Sequence, residues 1–238
     1  MHFLLLDSAD ERGSIAVCEG ARLLEVRSHP AGEEFSSWLL PEARRLLLLT
    51  GLSLVRLDGY AVCSGPGSFT GLRVGLTTVK AWSEICPKPI AAVSRLEALA
   101  GLAGSGNRTL PTAVILDARR GQVFAALYGE SGQLLEPEAV LALETFVRKT
   151  RTLCGTSRIL WKTPDPQLLE AVPEWRARRA EGDLLEEVSP PFAGQLAALA
   201  ERNFRSGRTT DAVALDANYV RRSDAELYWK DHASAVRA

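Results

Sequence analysis

The chain has 238 residues, enough for one large domain or two of ordinary size. It is 46% hydrophobic and 24% charged with a formal net charge of −1, a globular balance that argues against a chain gripping a phosphate backbone by its own charge. Cys18, Cys63, Cys86 and Cys154 have no C-x-x-C spacing, and Cys18 and Cys63 sit in apolar runs where buried reduced thiols are expected. The first residues lack a basic start and their apolar run is short for a signal peptide. No stretch approaches the length of a membrane span, so the cytoplasm is the expected compartment.

Residues 3–6 read as a buried strand ending at Asp7, followed by a polar turn, a strand over 14–18 and a third over 23–27. Short turns between consecutive strands predict an antiparallel meander. From residue 35 to about 50 the pattern is helical, with Pro41 best placed in a first turn. Leu39, Ala43, Leu46, Leu47 and Thr50 form one stripe, whereas Trp38, Leu40, Leu48 and Leu49 fall largely outside it. A helix apolar over more than one face needs more than one partner. One face can meet the chain's own sheet, leaving a second for something else.

The least ordinary stretch follows an apolar strand over 60–63. It runs Ser64-Gly65-Pro66-Gly67-Ser68-Phe69-Thr70-Gly71-Leu72-Arg73-Val74-Gly75. Gly65, Pro66 and Gly67 break the strand, Ser68 or Thr70 can cap a helix over 71–85, and the clustered backbone N–H groups suit an anion. The alternative is that the glycines only make a tight turn and let the helix pack closely. No Gly-Lys-Ser/Thr follows, so this is not a Walker A loop, and Thr70 replaces the third glycine of G-x-G-x-x-G. On the helix, Leu72, Leu76 and Val79 make one apolar stripe and Val74, Thr78 and Trp82 another, while Gly71 and Gly75 lie one turn apart. A short strand over 90–93 and a helix capped by Ser94, running to about 102, come next. The small-residue stretch 101–107 suggests a boundary between an N-terminal subdomain, 1–103, and a C-terminal one, 104–238.

Residues 113–117 form a second apolar strand ending in aspartate, Asp117, followed by a turn to Gly121 and a returning strand over 122–128. The strand–Asp–turn–Gly–strand unit of residues 4–17 thus occurs twice. Two copies of a meander followed by strand–helix units look like the duplicated actin-like ATPase (RNase H-like) α/β fold, two subdomains around a cleft. Beyond this, residues 141–150 read as a helix, 158–161 as a strand, and Pro164, Pro166 and Pro173 as irregular connections. A helix over 191–205 carries Phe192, Leu196, Leu199 and Ala200 on one side. The last residues are expected to fray.

The run from Gly65 to Gly75 closely resembles the signature of the TsaB (YeaZ) family, the non-catalytic dimerisation subunits of the bacterial machinery that places threonylcarbamoyl on a tRNA adenosine. Leu6-Asp7-Ser8 is similar to the family's opening Asp-Thr-Ser, residues 116–124 to its Asp-Ala-Arg-x-Gly-Glu-Val-Tyr stretch, and Asn218-Tyr219-Val220-Arg221 to its Tyr-Leu-Arg close. Ser8-Ala9 departs from Thr-Ser, and Glu33-Glu34-Phe35-Ser36-Ser37 from the His-Ser-Glu that often opens the first long helix. The resemblance implies an actin-like fold with no catalytic residue, metal or cofactor. It implies a TsaD-like catalytic paralogue as heterodimer partner, a homodimer as the other pairing, and a TsaE-like ATPase as a further partner. On this pattern tRNA is met only through the complex, and no membrane is involved. The family pairs through its two N-terminal-domain helices, which here are 35–50 and 71–85. Leu39, Leu40, Ala43, Leu46, Leu47, Leu72, Leu76, Val79 and Trp82 are the expected interface.

Catalytic chemistry has little support in the residues. His2, His29 and His232 lack ligand spacing, and Ser64 and Ser68 flank a turn that is not G-x-S-x-G. Asp7 and Asp117 are the best polar candidates, either handling Mg²⁺ and phosphate or capping their own turns. With Gly65, Gly67, Ser68, Arg73 and Arg119 they define a vestigial anion or nucleotide site under the resemblance. An actin-like ATP-binding phosphotransferase is the alternative function. A third is direct tRNA binding through Arg176, Arg178 and Arg179 or Arg202, Arg205 and Arg208, clusters that read first as solvated helix faces.

Overall fold

A computed structural model describes residues 1–101, 110–218 and 220. The first lobe is built on β1 (His2–Asp7), β2 (Ser14–Glu19), β3 (Arg22–Ser28), β4 (Gly59–Gly65) and β5 (Ile90–Ser94), in the order β3-β2-β1-β4-β5. The meander pairs are antiparallel, and β1–β4 and β4–β5 are parallel. β1 and β4 read as unbroken apolar runs because they are the inner strands, with both faces covered. Helix α1 (Phe35–Thr50) lies against β2 and β3, and α2 (Phe69–Ile85) against β4.

After α3 (Arg95–Ala100) the plan repeats with β6 (Thr112–Asp117), β7 (Gln122–Tyr128), β8 (Leu134–Ala142), α4 (Leu143–Cys154), β9 (Leu160–Thr163), α5 (Pro166–Glu170), α6 (Pro173–Ala180) and β10 (Leu184–Glu187). The second sheet runs β10-β9-β6-β7-β8, so each of its strands occupies the place of the strand five earlier in the first. Parallel and antiparallel pairings match as well. The duplication suggested by the repeat thus extends to the whole sheet. Along β6 the side chains alternate between two cores. Ala113 and Ile115 face Phe146, Trp161 and Trp175 inside the second lobe, whereas Val114 and Leu116 join the core of the first.

Several expectations are corrected. Pro41 lies inside α1 rather than in its first turn. Residues 141–142 still belong to β8, and α4 begins only at Leu143. The strand placed at 158–161 is shifted to Leu160–Thr163, and the proline-rich connections contain α5 and α6, each with proline in its first turn. The segment after β10 returns to the first lobe. Helix α7 (Ala193–Arg205) packs across all five strands of the first sheet, and Phe192, Leu196, Leu199, Ala200 and Leu215 belong to that lobe's core. The apolar side of α7 needs a sheet face to cover, and the first sheet offers one. The boundary expected at 103/104 lies outside the described residues, as do Tyr219, Arg221 and the last residues expected to fray.

Helix α2 starts with Ser68, whose hydroxyl accepts from the Gly71 N–H at 3.4 Å. Its glycines are sites of close approach. The Ser8 hydroxyl donates to the Gly71 carbonyl at 2.8 Å. A methyl group added at Gly71 would fall far inside contact with the Ser8 carbonyl oxygen, and one at Gly75 inside contact with Ser8 Oγ. Gly71→Ala should therefore lower stability by about 1–3 kcal/mol despite alanine's better helix propensity. Gly194→Ala in α7, where added volume meets nothing, should be neutral or stabilising by up to about 1 kcal/mol. Urea denaturation of the two variants checks the contrast.

Candidate functional site

The equivalent strands β1 and β6 both deliver an aspartate to the junction of the lobes. Asp7 Oδ1 accepts from the Ala9 N–H at 3.0 Å, and Asp117 Oδ1 from the Arg119 N–H at 2.7 Å. Both aspartates therefore close their own turns through the backbone N–H two residues on. The hairpins that follow meet across the cleft, where Arg119 Nη2 lies 3.2 Å from Glu11. Arg119 and Arg120 hold φ of 63° and 56°, left-handed values uncommon outside glycine.

Arg95, the first residue of α3, is 1% exposed and forms the floor of this region. Its guanidinium lies 3.4 Å from Asp7 and 2.8 Å from Asp10, and stands 4.8 Å from the ring centroid of Phe192. A buried guanidinium stays charged, so it requires carboxylates close by. Full burial pushes the Asp7 carboxyl up, and Arg95 offsets this only in part. Asp7 Oδ2 and Arg95 Nε are left without hydrogen-bond partners. For Asp10, burial also acts upward, but Arg95 and then Arg12 outweigh it and bring its pKa down to about 2.

The Gly-rich turn is packed from the same hairpin. The Ser68 N–H donates to the Ala9 carbonyl at 2.6 Å, and a side chain at Gly67 would collide with that carbonyl. On the other side the Asn218 N–H donates to the Ser64 carbonyl at 2.8 Å. Gly65, at φ 127°, lies against the Asn218 carbonyl oxygen. The chain's own backbone thus lies against the turn on two sides, which favours close packing as the purpose of these glycines. Arg73 does not join Asp7; its guanidinium stacks over the Phe69 ring at 3.8 Å.

The family model of TsaD, tRNA N6-adenosine threonylcarbamoyltransferase, matches residues 28–155, just over half of the chain. The chain belongs to this family, in its TsaB (YeaZ) group. The tRNA threonylcarbamoyladenosine biosynthesis protein TsaB of Escherichia coli K12 is 28% identical over 97% of this chain and 97% of its own length. The crystallised YeaZ of Pseudomonas aeruginosa is 26% identical, covers 92% of this chain and 99% of its own, and superposes with a TM-score of 0.72. A ROK family protein from Streptococcus pneumoniae TIGR4 shares the fold alone, at 9% identity and a TM-score of 0.51 over 87% of this chain and 100% of its own. The duplicated α/β architecture is therefore the actin-like one.

Within this TsaB-type chain, most of the expected interface residues are covered by the chain itself. Leu39, Ala43, Leu46, Leu47, Leu72, Leu76, Val79 and Trp82 are buried in the chain's own core, because they are the stripes that cover the sheet. Leu40 alone of that set is exposed, at 56%, together with Leu48 at 71% and Leu49 at 57% on α1 and Ile85 at the end of α2. The arginine clusters are also reduced. Arg178 is buried against Asp183 at 2.7 Å, Arg202 pairs with Glu97, and Arg205 pairs with Glu201. His29 stacks on Phe35 at 3.8 Å, His2 lies beside Glu19, and His232 is outside the described residues. Among the described residues no three His, Cys, Asp or Glu side chains converge as metal ligands, and no helix is long and apolar enough to cross a membrane.

Sequence reasoning missed Arg95 and Asp10. The available signal was a lone arginine at the strand–helix junction Ile90-Ala91-Ala92-Val93-Ser94-Arg95-Leu96, where burial demands a paired charge. Arg95→Met should cost about 3–5 kcal/mol, since it strands two carboxylates, and Asp7→Asn in the same chain should recover part of the loss. The acid limb offers a second check. Asp10 has a folded pKa below its unfolded value, so its contribution is full above pH about 4 and is lost as pH falls towards 2. Asp7 acts in the opposite sense, because its raised pKa favours the folded state on protonation. Asp10→Asn should remove about 2 kcal/mol of the acid-dependent loss, measured as urea midpoints between pH 7 and pH 2.

Proposed function

We propose that this chain is a non-catalytic scaffold subunit that binds and activates a TsaD-like paralogue in forming threonylcarbamoyladenosine on tRNA. The observation that carries this reading is the outward face of α1, where Leu40, Leu48 and Leu49 stand exposed beside Arg44 and Arg45, with Ile85 exposed on α2. Leu40 and Leu48 lie two turns apart on either side of Arg44, and Leu49 lies further round the helix; large apolar side chains left exposed along a helix mark a surface meant to be covered. Burying each would contribute roughly 1–2 kcal/mol, enough together to drive a specific association. Family membership and the name carried by the Escherichia coli relative supply the pathway.

The cleft supports the same reading. Asp7, Asp10, Glu11, Asp117 and Asp165 outnumber Arg12, Arg95 and Arg119 there, and the arginines are already engaged with these carboxylates. A nucleotide triphosphate entering without a compensating cation would meet net negative charge.

Leu48→Glu, alone or with Leu40→Glu, should abolish co-elution with a TsaD-like partner, and any self-association, in size-exclusion chromatography. The far-ultraviolet dichroism and melting temperature should be unchanged. Leu72→Glu, by contrast, places a charge in the core and should unfold the chain. Unaltered co-elution by the Leu40/Leu48 double variant would remove the interface. Calorimetric titration with Mg-ATP should give no heat of binding, and tight binding lost on Asp7→Ala would instead favour a phosphotransferase.

A further inference from the structure

We infer that the two lobes are held at one fixed angle by a chain of five alternating charges that ends on a helix of the opposite lobe. The chain begins with Asp7 at the end of β1 and passes through Arg95 on α3 to Asp10 in the first hairpin. Arg12 then joins Asp10 at 3.2 Å to Asp165 at 3.0 Å, and Asp165 belongs to the second lobe. Acid and base alternate throughout, so each interior member has opposite charge on both sides. Removing one link therefore weakens its neighbours.

Both ends are fixed before they meet. The Arg12 N–H donates to Asp10 Oδ1 at 2.8 Å, which sets the start of the arginine side chain. Asp165 stands at the N-cap of α5; its N–H donates to the hydroxyl of the buried Thr163 at 3.0 Å, and its carbonyl accepts from Leu168. The Arg12 guanidinium presents Nη1 to one Asp165 oxygen at 3.0 Å and Nη2 to the other at 3.4 Å. Both side chains are at most 30% exposed, so the pair is less screened than a surface pair. The Arg119–Glu11 bridge also crosses the cleft, but both side chains are more than 70% exposed and it adds little.

A second tie lies one residue from the first. Glu138 on β8 accepts from the hydroxyl of Ser94, which caps α3, and from the side-chain amide of Asn218. Consecutive residues, Ser94 and Arg95, are therefore engaged by two separate lobe-crossing networks. The N-terminus of α3 acts as a locked axle where a flexible hinge would otherwise sit. The cleft keeps one width, and any partner meets a preset shape. This holds whichever partner the chain carries, so it stands or falls separately from the docking surface.

The test uses the full chain with spin labels at Ala21→Cys in the first lobe and Thr152→Cys in the second, both exposed sites, with Cys86 and Cys154 replaced by serine. Pulsed dipolar spectroscopy, on samples diluted with unlabelled protein, should give a single narrow distance for the parent. Arg12→Gln and Asp165→Asn should each broaden that distribution with unchanged far-ultraviolet dichroism, and the double variant should be no broader than either single one. A parent distribution that is already broad would overturn the inference. So would single variants that stay as narrow as the parent, or a double variant that broadens as the sum of two independent effects.

Discussion

A guanidinium with almost no access to water is the constraint from which the cleft is built. Arg95 cannot shed its charge, and a lone buried charge is among the most costly features a core can hold. Phe192 offers its ring face, but an aromatic face alone does not balance a fully buried charge. The compensating carboxylates must come from a segment that can bend over α3, and the end of β1 and the hairpin after it provide Asp7 and Asp10. The path of residues 7–13 is thereby set by electrostatics on one side. On the other side it is set by sterics, since Ser8 and Ala9 press against Gly67 in the turn and against Gly71 and Gly75 on α2. A hairpin held from both sides has little freedom left to receive a ligand.

This double hold explains why the first lobe has the outline of a phosphate-handling fold without its usual openness. The strand ends in an aspartate and is followed by a glycine-rich turn and a helix start, as an anion site would require. Here the aspartate oxygens turn to the Ala9 N–H and to Arg95, and the Ser68 N–H turns to the Ala9 carbonyl. Asp7 and Ser68, two of the groups singled out for ligand chemistry, are thus engaged within the chain. The second lobe repeats the aspartate turn at Asp117, but among the described residues no equivalent buried arginine is in contact with it, and the Arg119 beside it is exposed.

The parts of the fold legible in the sequence were those governed by local periodicity. The apolar runs of β1, β4 and β6, the bounds of α1 and the serine cap of α3, with Ser68 as one of two candidate caps for α2, depend on neighbours within a few residues. The repeat was visible because Asp7 and Asp117 end equivalent strands, and Asx-type bonding selects the same residue at both places. Less legible was whatever depended on distant partners. β8 is an edge strand containing Pro137 and two glutamates, so its alternation is weak, and its last residues were assigned to a helix. The return of α7 to the first sheet has no local mark, because an amphipathic helix does not encode which sheet it will cover. Arg95 and Asp10 lie far apart in sequence, so their pairing was not readable without the fold.

The two faces of α1 show how periodicity can be right about number and wrong about identity. The pattern requires two partners, and the fold provides one: Leu39, Ala43, Leu46 and Leu47 are taken by the sheet. Sheet contact selects the stripe that repeats most regularly, since a packed core tolerates few gaps. Of the less regular set, Trp38 is also buried, and Leu40, Leu48 and Leu49 are left exposed, interrupted by Arg44 and Arg45. An interface that must also remain soluble when unpaired favours such interruption. A docking face on a helix of this kind is therefore better sought in the irregular apolar remainder than in the strongest stripe, and the same logic separates Ile85 on α2 from the buried Leu72, Leu76 and Val79.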